Sequence, residues 1–339
     1  MKLSTCLHQF FDQYLQRMQG RSPQTLKAYR DTFSRFLPFA AQYHRIKIDS
    51  LCLEHLCPEL VLAFLDHLES QHHNTVRTRN LRLAALKSFA KMIRLLCPDQ
   101  QQVAESILSI PQKRMQKKLM GFLYPEEILK VFEVVDLKEK DGLRDYCLLH
   151  LLFDSGARAS EAASLQLDYF DYEHKSLCIL GKASRFRMLQ LWPITADLVN
   201  LYISSYRKQP RPLYRQYLFI NQRGEAFTRH GINRLCKKYL SRTLEPKRTG
   251  QLNPAHCFRH SCAVNMLRSG FGLSDIKNHL GHEHVQSTMT YLHMDLSGRR
   301  EVQKTFVKYT RSILGRNPKI DELIDWQNKQ ETLKWLDTL

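Results

Sequence analysis

Four separated segments in the second half of the chain carry side chains that could stabilise a negatively charged transition state. These side chains are cationic, imidazole or phenolic: Arg158, Lys182, His256, Arg259, His282 and Tyr291. Arginine suits such chemistry because its planar guanidinium donates two parallel hydrogen bonds to one oxyanion. Metal-free attack on a phosphodiester needs fixed cations, a nucleophile and a proton donor for the departing oxygen. The set contains each of these parts.

The first two segments surround Arg158 and Lys182. Residues 154–161 read Asp-Ser-Gly-Ala-Arg-Ala-Ser-Glu, which predicts a helix end, a glycine turn and a new helix that opens near Ala159. The amides of that helix N-terminus would add to the positive field of Arg158. An arginine after a glycine turn is also common for structural reasons, and a lysine in a hairpin turn such as Lys182 is solvated by default. These two residues alone do not decide the function.

The third and fourth segments hold the histidines and the tyrosine. His256 and Arg259 are three residues apart, so a helix would place them on one face with His260 close by. A metal site is disfavoured because the nearest carboxylates are remote and Arg259 would repel a cation. Tyr291 follows His282 by nine residues, but the chain has 14 tyrosines and chemistry alone does not select this one. Because tyrosine titrates at about pH 10, nearby cations would help by stabilising its phenolate.

The composition favours a polyanionic partner inside the cell. Lys and Arg total 51 against 33 Asp and Glu, which gives a formal net charge of +18 and a pI of about 9.6. Such a surface attracts nucleic acid, although charge alone also fits a basic surface without a specific partner. We find no apolar run of about 18 residues and no signal-peptide pattern. The nine cysteines lack zinc-knuckle spacing, so neither a disulfide framework nor a metal site is predicted.

The first hundred residues predict a small helical bundle. Ser22 followed by Pro23 is typical of a helix start, with serine as the cap and proline at the first helical position. Helical spacing of apolar residues predicts two more helices at 59–69 and 76–96. The second of these carries basic residues that could contact a DNA backbone or form a solvated face: Arg77, Arg79, Arg82, Lys87, Lys91 and Arg94.

A basic linker separates this bundle from the second half of the chain. It contains Lys113, Arg114, Lys117 and Lys118, and it suits a protein that closes around a duplex, although linkers are often basic for solubility. The second half predicts helices that enclose a hairpin at 177–180 and 187–191, with another short strand at 217–220. The predicted fold is therefore mainly α with a small β-sheet. The expected parts are a helical core DNA-binding domain at 1–108, the linker at 109–120, a mixed α/β catalytic domain at 121–312 and a tail helix at 313–339.

The tail differs from the rest of the chain in charge. Residues 317–339 contain three Lys against five Asp and Glu, with apolar residues at partly helical spacing. An acidic amphipathic segment on a basic protein is better suited to contact protein than DNA. Whether it packs on its own subunit or on a neighbour stays open at the level of sequence.

The order and spacing of the motifs resemble the signature of the tyrosine recombinase family, also called the phage integrase family, which includes Xer and Cre-type enzymes. The resemblance rests on Ser155-Gly156-Ala157-Arg158 with Glu161 and Leu165, Gly181-Lys182, His256-x-x-Arg259-His260, Leu280-Gly281-His282, and Tyr291. Ser22 to Tyr29 resembles the start of the family's helical core-binding domain, so the likeness covers nearly the whole chain. Two positions depart from the family: Phe258, where Leu is common, and Ser155, where Thr is frequent. Neither removes a charged or nucleophilic group.

The resemblance implies a covalent mechanism without metal, ATP or another cofactor. Tyr291 would attack the scissile phosphate and form a 3′-phosphotyrosyl link that conserves the bond energy. Arg158 and Arg259 would clamp the non-bridging oxygens, and His282 would add a hydrogen bond.

The resemblance also assigns the proton transfers. Lys182 would protonate the leaving 5′ hydroxyl, and His256 would assist proton transfer from Tyr291. Glu161 and His260 would hold these groups in position without contacting the phosphate.

The implied function is a site-specific DNA recombinase or integrase of a mobile genetic element. We expect it to act in the cytoplasm, at the nucleoid, on double-stranded DNA with specific recombination sites, as a homo-tetramer alone or with related recombinases, and without membrane contact. The chain begins close to the core-binding helices, so simple core sites are expected. The alternatives are relaxation of DNA by a type IB topoisomerase-like enzyme and a catalytically silent DNA-binding accessory protein. The helix start at Ser22 and the acidic tail favour a recombinase.

Overall fold

The computed structural model describes residues 2–115, 121–181 and 185–293, and the chain divides into two compact units, 1–118 and 119–339. Predicted features at Lys117, Lys118, Lys182 and the tail 313–339 lie outside the described residues. In the part that is described, no helix combines the length and apolarity that a membrane crossing requires. None of the nine cysteines, all of which lie within the described residues, forms a disulfide, and six of them are buried.

The first unit is a bundle of helices around an aromatic core. Rings of Phe10, Phe33 and Phe89 meet edge to face, with centroids 5.2–5.7 Å apart. Such pairs add to the stabilisation that apolar burial gives. The helices are α1 (Leu3–His8), which continues as a π-helical segment (Gln9–Met18), α2 (Pro23–His44), α3 (Pro58–Ser70), α4 (Val76–Leu96) and α5 (Gln101–Ser109).

The sequence predictions for this bundle are confirmed to within a residue. Helix α2 begins at Pro23, and the Ser22 hydroxyl accepts a hydrogen bond from the Thr25 amide, as an N-cap does. The stretches predicted at 59–69 and 76–96 are α3 and α4. Capping and apolar periodicity are local signals, so the sequence carried them without reference to tertiary packing.

The second unit contains nine α-helices among its described residues, together with a three-stranded sheet. The helices pack around α7, a long segment that is buried along almost its whole length. They are α6 (Pro125–Glu133), α7 (Gly142–Ser155), α8 (Ala159–Ala163), α9 (Pro193–Leu201), α10 (Arg229–Thr243), α11 (Pro246–Thr249), α12 (His256–Arg268), α13 (Leu273–Leu280) and α14 (Gln286–Met289). A 3₁₀ turn, Thr290–His293, follows α14.

The sheet is antiparallel and consists of β1 (Phe170–Asp171), β2 (Ser176–Leu180) and β3 (Phe186–Gln190), in that order. The predicted hairpin is confirmed, with Ile179 opposite Arg187. The strand predicted at 217–220 is wrong. Tyr217 and Ile220 each form only an isolated bridge, with different partners, so no continuous ladder develops. The apolar run there reflects burial in the core rather than strand pairing.

Candidate active site

The turn between α7 and α8 packs the motif that contains Arg158 against the motif that contains His282. Gly156 ends α7 in the left-handed region, at φ 57°, and a Cβ at this position would lie 2.5 Å from the Leu280 side chain. Glycine is therefore required both by backbone conformation and by space. Arg158, two residues later, occupies the N-cap position of α8, where its side chain remains 34% exposed. A partly exposed guanidinium at this point can reach a ligand.

Glu161 is the carboxylate that holds Arg158. Its Oε1 accepts from Arg158 Nη1 at 2.6 Å, and its Oε2 accepts from the Arg158 amide at 2.9 Å and from Arg187 Nη2 at 2.8 Å. Burial alone would raise the pKa of Glu161, but the hydrogen bonds and charges of Arg187 and Arg158 outweigh it and leave the pKa below its ordinary value. The group is thus a buried carboxylate shared by two arginines.

Arg259, on α12, joins three motifs. Its side chain is fully buried, and it donates to the carbonyl of Gly156 at 2.7 Å and to that of Leu280 at 2.8 Å. Both acceptors are neutral, so these bonds fix the guanidinium without cancelling its charge. Burial, and then the nearby Arg158, lower the pKa of Arg259 to about 10, which still leaves a cation at neutral pH.

His282 is oriented by a buried threonine. Its Nδ1 lies 2.9 Å from Thr288 Oγ1. Burial and the charges of Arg259 and Arg158 lower the pKa of His282 to about 4, so the ring is neutral at pH 7. A neutral ring whose Nδ1 accepts the threonine proton carries its own N–H on Nε2. That nitrogen is then a donor for an anionic ligand.

Tyr291 lies in the 3₁₀ turn after α14 and is 2% exposed. Its hydroxyl is 3.1 Å from His260 Nδ1, and its ring stacks nearly parallel to that of His282, with centroids 6.2 Å apart. Burial raises the pKa of Tyr291, and Arg259 and Arg158 lower it only in part. The expected help from the cations is present, but desolvation prevails, so the side chain is a neutral phenol.

His260 and His256 form an edge-to-face pair with ring centroids 5.1 Å apart. Burial is the main cause that lowers the pKa of each, to about 3 in His260, where His256 and Arg259 add to the effect. The hydrogen bond to the Tyr291 hydroxyl belongs to His260, which the sequence placed in a supporting role. His256 packs one ring further away.

Lys182 lies outside the described residues, but the residue before it borders the site. Gly181 closes the hairpin turn by donating to the Arg185 carbonyl at 2.8 Å. A Cβ on Gly181 would lie 3.8 Å from Glu161 Oε1 and 3.6 Å from Arg187 Nη1. The start of the hairpin turn therefore lies close to Glu161, the carboxylate that holds Arg158. Among the described residues, no group of three or more His, Cys, Asp or Glu is arranged to hold a metal ion.

Sequence reasoning missed two residues of this cluster, Arg187 and Thr288. Arg187 shares a strand face with the buried Leu189, and an arginine at an inward position of a predicted strand is a signal that could have found it. Thr288 lies three residues before Tyr291, but such a threonine has no distinguishing pattern. Its role is visible only in the hydrogen bond to His282.

The basic residues predicted to contact DNA lie in different surroundings. Arg77 and Arg114 are exposed. Arg79 is not: its side chain is 8% exposed, and Nε lies 3.3 Å from Glu69 Oε2, so it is better explained as a structural residue. Lys113 also pairs with Glu69, at 3.0 Å.

Two further candidates on α4 are tied to other helices of the first unit. Arg82 donates to Thr32 Oγ1 at 3.0 Å and to the Ala28 carbonyl at 3.3 Å. Lys87 donates to the Leu108 carbonyl at 2.6 Å. Both side chains are half-buried, so much of their donor capacity serves the bundle.

Sequence comparison identifies the family. The phage integrase family pattern matches residues 121–297, and the N-terminal SAM-like domain of phage integrases matches residues 8–94. The chain belongs to the phage integrase family. A relative in Sinorhizobium fredii (strain NBRC 101917 / NGR234), y4rC, named an integrase/recombinase, is 31% identical over 87% of this chain and 89% of its own length. The tyrosine recombinase XerC of Chlamydia muridarum is 28% identical over 86% of this chain and 94% of its own.

Solved structures share the fold of this tyrosine recombinase. The XerH site-specific recombinase, bound to its difH substrate before cleavage, gives a TM-score of 0.63 at 22% identity, covering 86% of this chain and 80% of XerH. The Tn1549 transposon integrase, in complex with transposon right end DNA, gives 0.61 at 19% identity, covering 86% and 94%. The predicted fold class, mainly α with a small sheet, is confirmed.

Proposed function

We propose that this tyrosine recombinase cleaves and rejoins double-stranded DNA at specific recombination sites, through a 3′-phosphotyrosyl intermediate at Tyr291, on behalf of a mobile genetic element. One observation carries the proposal. The Tyr291 hydroxyl is buried in its own subunit against His260 and within the electrostatic reach of Arg259 and Arg158. DNA as the substrate is supported by the relatives XerH and Tn1549 integrase, whose structures contain DNA.

In this mechanism a DNA phosphate enters a pocket that already holds the donors for its oxygens. Arg259 donates one N–H of each terminal nitrogen to a carbonyl, and its remaining N–H groups are available to bind the phosphate. Arg158 reaches the second non-bridging oxygen, and Nε2 of His282 donates a further hydrogen bond. Donors fixed before the charge develops stabilise the transition state without reorganising.

The bonds and protons balance as follows. A bond forms between Tyr291 Oη and phosphorus, and the bond from phosphorus to the 5′ oxygen breaks. The phenol proton passes to Nδ1 of His260, and Lys182 supplies the proton that the leaving 5′ oxygen takes. The incoming phosphate brings negative charge beside imidazoles that burial keeps neutral, so it raises the pKa of His260 and favours the transfer. Attack by a 5′ hydroxyl on the phosphotyrosine reverses the sequence and joins a new strand.

Assembly follows from the two strand exchanges that recombination requires. Four active sites on two duplexes imply a tetramer on DNA, and we propose that the acidic tail, 313–339, contacts a neighbouring protomer. An apolar groove of about 620 Å³ between α6, α7 and α12, lined by Phe132, Tyr146 and Phe153 among others, offers a surface for its apolar residues. Deleting 317–339 would then spare strand cleavage but impair synapsis. Unchanged recombination by the truncated protein would contradict this role.

Capture of the covalent intermediate tests the function. The protein is incubated with sheared DNA that flanks its own gene, adducts are recovered under denaturing conditions, and the cleavage site is mapped by sequencing. A nicked suicide substrate built on that site traps the adduct. We expect wild-type protein to form it and Tyr291→Phe to form none, with unchanged folding.

Two outcomes would contradict the proposal. Absence of an adduct in wild-type protein would favour a silent DNA-binding protein, and an adduct in Tyr291→Phe would place the nucleophile elsewhere. Relaxation of supercoiled DNA without two-site recombination would favour a topoisomerase.

A further inference from the structure

Arg187 is the second residue of β3 and bridges two parts of the active site. Its Nη2 donates to Glu161 Oε2 at 2.8 Å, and its Nε donates to the His279 carbonyl at 3.0 Å. The side chain is only 10% exposed. A guanidinium binds two acceptors in fixed directions, so these bonds set the distance between Glu161 and the end of α13.

The two motif glycines pack against this guanidinium. A Cβ on Gly281 would lie 3.0 Å from Arg187 Nη1 and 3.1 Å from its Cδ, and one on Gly181 would lie 3.6 Å from Nη1. Gly281 also has a φ of 66°, so both the backbone and Arg187 exclude a side chain there. Since His282 follows Gly281, the position of Arg187 determines where the chain enters the His282 turn.

The charge of Arg187 is as important as its shape. Glu161 faces both Arg158 and Arg187, and the hydrogen bond with Arg158 is short, at 2.6 Å. Without a second cation, one buried carboxylate would concentrate its full attraction on Arg158. That attraction would compete with the phosphate for the same guanidinium. Arg187 offsets part of the carboxylate charge and leaves Arg158 available to bind the phosphate.

We propose that Arg187 is a positioning residue for strand cleavage, acting through Glu161 on Arg158 and through the end of α13 on His282. This inference rests on the proposed function. It assigns Arg187 no contact with DNA. Its effect is to orient the two groups that contact the phosphate.

Single-turnover cleavage of the mapped suicide substrate, at saturating DNA, tests the proposal. We expect Arg187→Gln to lower the cleavage rate by about 10- to 100-fold, less than the loss expected for a donor that contacts the phosphate itself, while DNA affinity changes little. Arg187→Lys keeps the charge but cannot hold both acceptors in the same geometry, so it restores the rate only in part. Equal rates for Arg187→Gln and wild type would overturn the proposal.

A double-mutant cycle with Glu161→Gln separates positioning from general destabilisation. If Arg187 acts through Glu161, the double variant is about as slow as the slower single variant, because the two residues act as one unit. Rates that multiply would mean independent roles and would overturn the coupling.

Arg248 provides a matched control in the same unit. It too bridges a carboxylate and a carbonyl, donating to Glu127 Oε1 at 2.7 Å and to the Phe122 carbonyl at 2.6 Å. Arg248→Gln is expected to lower the melting temperature but to leave the cleavage rate of folded protein unchanged. If Arg248→Gln lost as much of the cleavage rate as Arg187→Gln does, the effect of Arg187 would be explained by stability alone, and the proposal would be overturned. If wild-type protein forms no adduct at all, the proposed function fails, and the role of Arg187 fails with it.

Discussion

Arg79 and Arg94 on α4 and Arg259 in the active site are the same residue type in opposite surroundings. On α4, Arg79 pairs with Glu69, and Arg94 lies 3.0 Å from Glu105. In the active site, Arg259 is deeply buried, yet the Gly156 and Leu280 carbonyls to which it donates are neutral. Arg79 and Arg94 are thus neutralised by carboxylates, whereas Arg259 is fixed in place with its charge preserved.

The difference is visible in the titration of neighbouring groups. In the active site, the charge of Arg259 adds to burial in lowering the pKa of His282 and His260, to about 4 and about 3. Such a pocket is short of negative charge, and a phosphate would supply it. A count of basic residues along the sequence cannot distinguish these two situations, because it does not show which cations have carboxylate partners.

Replacing Arg259 is expected to have the largest effect on the cleavage rate. Arg259→Lys keeps a charge, but an ammonium cannot bind the carbonyls of Gly156 and Leu280 and also a phosphate in the geometry of a guanidinium. We expect the single-turnover cleavage rate to fall by about 10³-fold or more. Arg94→Lys, on α4, serves as the control and is expected to cleave at the wild-type rate. A loss of less than about tenfold for Arg259→Lys would show that charge suffices without geometry.

The next largest effect is expected from the two histidines on α12, whose replacement should slow cleavage to different extents. His260 contacts the Tyr291 hydroxyl, whereas His256 packs behind it. We expect His260→Gln to slow cleavage by about 10²-fold, the usual range for a proton acceptor, and His256→Gln to slow it less. The same suicide substrate measures both. A larger loss in His256→Gln would return the proton transfer to the residue that the family resemblance assigned.

Much of the fold and most of the candidate site residues could be predicted from the sequence, because helix caps, apolar periodicity and the order of the motifs can be read along the chain. The Ser22 cap, the helices of the bundle and the β2–β3 hairpin follow from capping and periodicity. Family spacing pointed to Arg158, Arg259 and Tyr291, and the structure places them close enough to shift one another's pKa.

What sequence could not supply depends on contacts between distant segments. The pairing of Tyr291 with His260, rather than His256, depends on how the turn after α14 folds back on α12. Burial of Arg79 against Glu69 likewise requires the packing of α3 on α4. Neither distance is encoded in spacing along the chain. The same holds for the net effect of burial on the Tyr291 pKa.

A smaller effect is expected on stability in acid, from His150, which is buried but has no part in the proposed chemistry. His150, on α7, stacks on Phe132 with ring centroids 4.0 Å apart, and burial lowers its pKa to about 4. The unfolded state therefore binds the proton first, so the free energy of unfolding is intact above about pH 6.5 and falls as the pH drops toward 4. His150→Phe removes this loss, worth about 2 kcal/mol at pH 5, and is expected to preserve cleavage at pH 7.5.

Melting temperatures from pH 7.5 to pH 5 measure that effect. His230, exposed on α10, is the control, and His230→Phe is expected to leave the pH dependence unchanged. A His150→Phe protein that loses stability in acid as steeply as wild type would assign the acid sensitivity to other groups, including His260 and His282.

The smallest effects would come from the basic helix α4 itself, where neighbouring arginines differ in exposure. Arg77 is exposed and free to meet a DNA phosphate, so Arg77→Ala is expected to reduce the slope of log affinity against log salt by about one, with unchanged melting temperature. Arg79 is buried against Glu69, so Arg79→Ala is expected to lower the melting temperature and leave the slope unchanged. Salt titrations of DNA binding measure the first quantity and thermal unfolding the second. If both variants changed the salt slope equally, exposure would not be what separates structural cations from DNA-binding cations on this helix.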